Sequence, residues 1–417
     1  MADDIQLTAI WARTPLPAGT AQVAYLHIEA KPRVVTTTQQ TAINFGMVLD
    51  RSGSMDGNKI ESLKRAVMQV IDTLGPEDTV SVVVFDETAD VVVPTTAATN
   101  KVELKNLVEG IRVQGGTAMS TGLEAGAAEI RKGMSTDRVT HLLLLTDGQT
   151  WGDEDQCRAI AQQLGSEGVR LTALGLGDEW NEQLLDDLAA STQGTSDYIA
   201  DPKDIAKYFQ AVTVAAQSTA VQHARLLLRL AQGVNPRAVY RVTPLIANLG
   251  YKPITEREVN VDLGDIQGDT GAAVLVEMML PANQPGTYRV AQVDLAYDVP
   301  QGNLLDQHVR TDLMLEFSAT PGQPDPRSMN LVERVTAFKL QTRALDEAAA
   351  GNVAGATQKL RSAATRLLDL GELDLANTMN RAAETMETGG GPSAADQKQM
   401  RYATKRLTLD QLTGDVK

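Results

Sequence analysis

Strand-sized apolar runs alternate with helically spaced segments through the middle of the chain. They predict an α/β protein built on a Rossmann-like, doubly wound, mostly parallel sheet. Two further observations set its surroundings. Strand patterns punctuated by Gly and Pro flank that region on both sides, which predicts a β-sandwich with the α/β domain inserted in it. Beyond a Pro-rich stretch only helical spacing persists, which predicts a C-terminal α-helical segment.

The N-terminal strands come first. Residues 5–12 and 21–29 alternate apolar with other side chains, as in Ile5, Leu7, Ala9 and Trp11 and then Val23 and Tyr25. Pro15, Pro17 and Gly19 supply the turn between them. A lone hairpin is marginal in water, so residues 1–40 are expected to complete the later sandwich. The α/β domain is expected over residues 41–217, with strands at 43–50, 79–85, 88–93, 139–146, 169–174 and 196–200. The strand at 88–93 is expected to be antiparallel and at an edge. Between them, helical spacing covers 58–74, 101–112, 120–131, 154–165, 181–190 and 202–216. Residues 218–320 return to strand patterns at 221–230, 238–242, 259–263, 273–280, 287–298 and 306–317. Residues 321–417 hold the rest of the Pro-rich linker (318–327) and helices at 329–350, 353–370, 373–386 and 393–407.

Charge narrows the partners. The 417 residues carry 38 Lys and Arg against 53 Asp and Glu, a net charge of -15. Residues 43–216 hold 14 basic and 27 acidic groups, while residues 327–417 hold 13 and 11. A polyanion is disfavoured by this balance, and an aromatic content of 4% leaves few platforms for stacking bases. No nucleic-acid partner is expected; cations and basic proteins fit. A single cysteine, Cys157, excludes a disulfide framework. The N-terminus has no basic, apolar leader pattern, and no apolar run reaches the length of a membrane span. A cytoplasmic location with no membrane span is the expectation.

Enzyme motifs are absent from the sequence. There is no Gly-rich loop ending in Lys and Ser or Thr, no G-x-S-x-G, and no H-E-x-x-H around His27, His141, His223 or His308. Asp50 after a strand resembles the nucleophile of aspartyl-phosphate enzymes, but their second Asp is replaced by Ser52. A hydroxyl cannot take over carboxylate acid–base work at neutral pH.

The residues that stand out lie at strand ends. The first strand of the α/β domain ends in Asp50-Arg51-Ser52-Gly53-Ser54, a later loop reads Gln114-Gly115-Gly116-Thr117, and the long apolar strand ends in Thr146-Asp147-Gly148. In doubly wound sheets ligands bind beyond the carboxyl ends of strands, where strand order reverses. Two carboxylates and three hydroxyls form a hard-cation donor set. Taken singly, each motif has a plainer account as a turn or a helix cap. Their joint placement favours a site.

With these motifs in place, residues 40–216 resemble a von Willebrand factor type A domain. The D-x-S-x-S motif stands as Asp50, Ser52 and Ser54, the family threonine matches Thr117, and the T-D-G aspartate matches Asp147. The resemblance implies a six-stranded sheet of order 3-2-1-4-5-6 and a complete metal-ion-dependent adhesion site. It implies Mg²⁺ as the usual ion, with Mn²⁺ or Ca²⁺ as alternatives, and a partner carboxylate completing the shell. The whole chain is similar to bacterial cytosolic proteins with such a domain. That suggests an AAA+ ATPase, a kinase or a phosphatase as protein partner. Arg51, Asp86, Gly116, Asp153 and Asp178 are candidates for the rim or for supporting the ligands, with Arg51 expected to point outward to a partner carboxylate.

The expected function is a metal-dependent protein-binding module, not an enzyme. The sandwich and helices would serve as scaffold or second interaction surface. The alternatives are a Mg²⁺-dependent hydrolase or phosphotransferase, with Asp153 or Asp86 as base, and a scaffold with a silent metal site.

Overall fold

A computed structural model describes residues 5–33 and 41–408 of the chain. The end of the expected N-terminal segment, residues 34–40, lies outside the described residues, as do 1–4 and 409–417. The chain forms two compact units, and one is interrupted in sequence by the other. The first holds the described parts of Met1–Thr36, His223–Asp298 and Leu305–Lys417; the second holds those of Thr37–Gln222 and Val299–Leu304.

The first unit opens with β1 (Ile5–Trp11), a two-residue β2 (Leu16–Pro17) and β3 (Gln22–Pro32). β1 and β3 pair antiparallel from Ile5↔Pro32 to Trp11↔Leu26.

The second unit runs β4 (Ile43–Asp50), α1 (Asn58–Thr73), β5 (Thr79–Phe85), β6 (Ala89–Ala97), α2 (Lys101–Glu109), α3 (Met119–Lys132), β7 (Val139–Thr146), α4 (Glu154–Ser166), β8 (Arg170–Leu176), α5 (Glu182–Ser191), β9 (Thr195–Ile199) and α6 (Ile205–Gln217). Its sheet has the order β6-β5-β4-β7-β8-β9, which within the unit is 3-2-1-4-5-6. Only β6 is antiparallel, at the edge beside β5, and it runs past the expected Val93 to Ala97. β4, β5 and β8 are buried along their whole length, as strands covered by helices on both faces must be. α1 turns Ile60, Leu63, Ala66, Val67, Val70 and Ile71 inward at helical spacing, onto Phe45, Met47 and Leu49 of β4. Ile205 and Phe209 of α6 join the same core. Cys157 is buried in α4, and burial pushes its thiol up to about 12, leaving it an inert small apolar group.

The chain then continues through β10 (Thr219–Leu230), β11 (Asn235–Thr243), β12 (Ala247–Asn248), β13 (Lys252–Thr255), β14 (Glu258–Gln267), β15 (Ala272–Leu280), β16 (Gly286–Val299) and β17 (Leu304–Ser318). The first unit gathers strands from both ends of the sequence into two sheets, β1-β3-β15-β11-β12 and β13-β14-β10-β16-β17-β2. β3 pairs with β15 from Ala30↔Ala272 to Gln22↔Leu280, so the N-terminal strands complete the sandwich. The expected turn at residues 13–20 does more than reverse the chain. Its β2 pairs parallel with β17 in the other sheet, and Trp11 Nε1 donates to the Met314 carbonyl at 2.9 Å.

Helices α7 (Pro326–Ala349), α8 (Val353–Asp369), α9 (Leu373–Glu387) and α10 (Ala394–Lys405) close this unit. α7 starts inside the expected linker: Pro326 takes the first helical position and Asp325 caps it, accepting the Ser328 N–H at 2.7 Å. Val335 and Phe338 of α7 pack with Tyr240, Val242 and Leu275 of the sandwich, and with Leu360, Ala364 and Met379 of the next helices. Among the described residues no helix is long and apolar enough to cross a membrane.

Candidate functional site

The carboxyl ends of β4 and β7 are neighbours at the point where the strand order reverses. Asp50 closes β4 with no exposed surface, and Asp147 follows β7 at 2% exposure. Asp50 Oδ1 accepts the Ser52 N–H at 2.8 Å, which bends the loop back over the strand end. Asp50 Oδ2 accepts the Thr146 hydroxyl at 2.6 Å. Ser52 Oγ and Ser54 Oγ lie 3.0 Å apart, and Ser54 Oγ donates to Asp147 Oδ1 at 2.6 Å. The other Asp147 oxygen, Oδ2, faces Lys59 Nζ at 2.5 Å.

The third loop is laced to the first. Gly53 N–H donates to the Gly115 carbonyl at 3.0 Å, and Gln114 N–H to that of Arg51 at 2.9 Å. Gly115 takes φ +31°, and a Cβ built there would face Glu87 and Asp86. Thr117 arrives beside Gly148, where an added Cβ would sit 3.5 Å from Thr117 Oγ1 and 3.7 Å from Ser54 Oγ. Asp50, Ser52, Ser54, Thr117 and Asp147 are thus brought together from three loops.

Burial pushes the Asp50 carboxyl up to about 6, against the hydrogen bonds from Ser52 and Thr146 that favour its charged form. A buried carboxylate in this condition is relieved by a cation. Among the described residues no group of three or more His, Cys, Asp or Glu is placed to hold a metal ion. Any ion here therefore depends on the serine and threonine hydroxyls. Two carboxylates with three hydroxyls are hard oxygen donors, and they fit a small divalent cation.

The outward orientation expected of Arg51 is corrected. Arg51 is 7% exposed, its Nε is 2.6 Å from Asp86 Oδ2 and its Nη2 2.5 Å from Asp90 Oδ2. Two carboxylates contributed by the β5–β6 turn and β6 draw the guanidinium inward. Asp86 in turn accepts the Thr88 N–H at 3.0 Å through its side chain and the Ala118 N–H at 2.6 Å through its carbonyl. It ties the Arg51 and Thr117 loops to one strand end. Burial alone would raise the Asp86 carboxyl, but the hydrogen bonds from Thr88 and Arg51 hold it below the usual range.

Asp153 also works behind the site. It accepts the Ser120 N–H at 2.8 Å and the Thr150 hydroxyl, so it braces the start of α3. Gly116 lies against Glu87, whose Cγ and Oε1 would be 3.2 Å from an added Cβ. Asp178 accepts the Tyr198 hydroxyl of β9 at 2.8 Å, at the far edge of the sheet. Lys59, Glu87 and Trp151 were not singled out by the sequence, and Thr146 stood out there only as the start of the Thr146-Asp147-Gly148 motif. Thr146 had a signal, since a hydroxyl one residue before a strand-end aspartate is well placed to reach a neighbouring strand end. Trp151 is 81% exposed on the loop after Asp147, a strong signal for a large aromatic.

Comparison with known proteins agrees with this architecture. The von Willebrand factor type A domain model matches residues 45–211, and the Sll0103-like C-terminal alpha-helical domain model matches residues 326–410. The protein sll0103 of Synechocystis sp. is 30% identical over 370 residues, covering 87% of each chain. A von Willebrand factor type A protein from Catenulispora acidiphila superposes with a TM-score of 0.77 at 20% identity, covering 97% of both chains. The ArnB paralog VWA2 from Sulfolobus acidocaldarius superposes at 0.56 and 14% identity, covering 97% of this chain and 99% of that one.

Proposed function

The chain belongs to the family of the Synechocystis protein sll0103 and carries a von Willebrand factor type A domain, a module that commonly mediates protein–protein interaction, and from that premise we propose that it is a metal-dependent protein-binding module. Asp50, Ser52, Ser54, Thr117 and Asp147 would hold a divalent ion, with Mg²⁺ the best match to hard, short-chain oxygen donors. When bound, the ion supplies an open coordination position for an Asp or Glu of a partner protein.

The protein's own residues prepare that encounter. Thr146 fixes one oxygen of Asp50, and Ser52 N–H fixes the other. The Arg51–Asp86 pair holds two of the three loops in register. Trp151 adds an exposed apolar surface on the loop that follows Asp147, of the kind that anchors interfaces. The observation that carries the reading is the convergence of five carboxylate and hydroxyl side chains at the strand-order reversal.

A hydrolase is the less favoured reading: Asp86 is engaged by Arg51 and Thr88, and Asp153 by Ser120 and Thr150, so either candidate base would have to act from a carboxylate that already accepts two or more hydrogen bonds. Affinity capture with the full chain tests the proposal. A protein retained with Mg²⁺ and released by chelator or by Asp50→Ala supports it. Mg²⁺-dependent turnover of phosphoesters by the wild type, lost in Asp50→Ala, would replace it with the enzyme reading.

A further inference from the structure

Against the sandwich lies a cavity of about 440 Å³ whose lining includes Arg237, Tyr240, Asn248, Glu277, Lys339 and Arg343. Three structural features converge there. On β11 the register shifts between Pro236 and Ala238, so Arg237 is an extra residue opposite β15. Such a bulge re-aims a side chain, and Arg237 Nε comes to 3.4 Å from Glu277 Oε1. Lys339 and Arg343 are four apart on α7, hence on one helix face. Tyr240 and Asn248 are direct partners across β11 and β12.

The charges do not balance. Glu277 is the one carboxylate in the lining, and it is already shared by Lys339 at 2.9 Å and Arg237 at 3.4 Å. Lys339 also stands 5.4 Å from the centre of the Tyr240 ring. Arg343 has no ion pair or hydrogen bond among the described residues, and neither the Tyr240 hydroxyl nor the Asn248 amide nitrogen has a partner there. Burial pushes the Tyr240 phenol up from its ordinary value, so it remains a donor at neutral pH. Three cations against one carboxylate, with unpartnered donors facing a ligand-sized space, form a receptor for acceptor atoms carrying negative charge.

We propose that this cavity binds a small organic or inorganic polyanion, held by Arg343 and Lys339 with the Tyr240 hydroxyl and Asn248 amide as neutral donors. The recognised chemistry is a pair of carboxylate or phosphate groups. The excess of two positive charges calls for at least two negative ones, and the planar Arg343 fork suits either group. This proposal is independent of the metal site.

Calorimetric titration of citrate and of pyrophosphate into the full-length, chelator-stripped protein tests it, with sodium chloride matching the ionic strength. Saturable binding of citrate alone identifies a carboxylate site, of pyrophosphate alone a phosphate site, and either supports the proposal. Arg343→Gln is expected to weaken that binding at least about tenfold and Tyr240→Phe roughly threefold. Asp50→Ala should leave it unchanged. Arg343 is exposed, so its replacement does not disturb a core. Absence of saturation by both anions up to ~10 mM, or equal binding by wild type and Arg343→Gln, overturns the proposal.

Discussion

Lys59 Nζ lies 2.5 Å from Asp147 Oδ2, at the mouth of the candidate metal site. The ammonium neutralises the carboxylate that a metal ion would share. Its own orientation does not depend on Lys59, because Ser54 Oγ holds Asp147 Oδ1 at 2.6 Å. Lys59 is one-third exposed, so its repulsion of a neighbouring cation is partly screened. Lys59→Met is therefore expected to tighten Mg²⁺ binding roughly three- to tenfold by titration. A weaker Mg²⁺ affinity in the variant would show that Lys59 organises the site instead.

Asp50 would give the proposed metal site its pH dependence. Burial raises its carboxyl to about 6, so below that pH the metal-free protein holds Asp50 neutral. A metal ligand must be deprotonated, and binding then releases the proton. Mg²⁺ affinity should be nearly constant above pH 7 and fall about tenfold per pH unit below about pH 6. Titrations in buffers of different ionisation enthalpy at pH 5.5 should show proton release, and Asp50→Asn should show none. An affinity flat from pH 7 to 5 would contradict this assignment.

Arg51 and Asp86 form a buried pair, with side chains 8% and 6% exposed. Removing one member leaves the other charge buried without a partner. Arg51→Ala is expected to lower the stability of the α/β unit by about 3 kcal/mol, read as an earlier urea midpoint. Replacement of Asp90, whose side chain is 62% exposed, should cost less than about 1 kcal/mol. Equal effects from the two positions would remove the argument from burial.

In the sandwich, Asp294 plays the analogous part. It is 1% exposed and meets His308 Nδ1 at 2.8 Å, Arg310 Nε at 2.8 Å and Arg229 Nη1 at 3.1 Å. Burial would raise its carboxyl, but the hydrogen bonds from His308, Arg310 and Arg229 outweigh it and hold the group below 3.8. A depressed folded-state value stabilises above the unfolded value and is lost as pH falls through the folded one. The stability gap between wild type and Asp294→Asn should thus shrink as pH falls below about 3.8. A gap that widens on acidification would reverse the sign.

Sequence pattern was sufficient for the frame and for the five gathered side chains. Asp50, Ser52, Ser54, Thr117 and Asp147 sit at element ends, where local spacing governs position. The inserted arrangement was also legible, because a hairpin at residues 5–32 has to find a sheet. What pattern could not give was direction and long-range pairing. Arg51 turns inward because of Asp86 and Asp90, which lie more than thirty positions away in sequence. β12 and β13 are short and largely exposed, so they carry no alternation to read. The start of α7 was hidden by its prolines, although Asp325 followed by Pro326 is itself a helix-start signal.

Asp50 and its neighbours are proposed to hold a divalent cation. The most direct test is calorimetric titration of Mg²⁺ into chelator-stripped protein at pH 7.5, with Asp50→Ala beside the wild type. One saturable site in the wild type and none in the variant is the result predicted here. Equal Mg²⁺ binding by both proteins, or none by the wild type even with an added carboxylate, would contradict it.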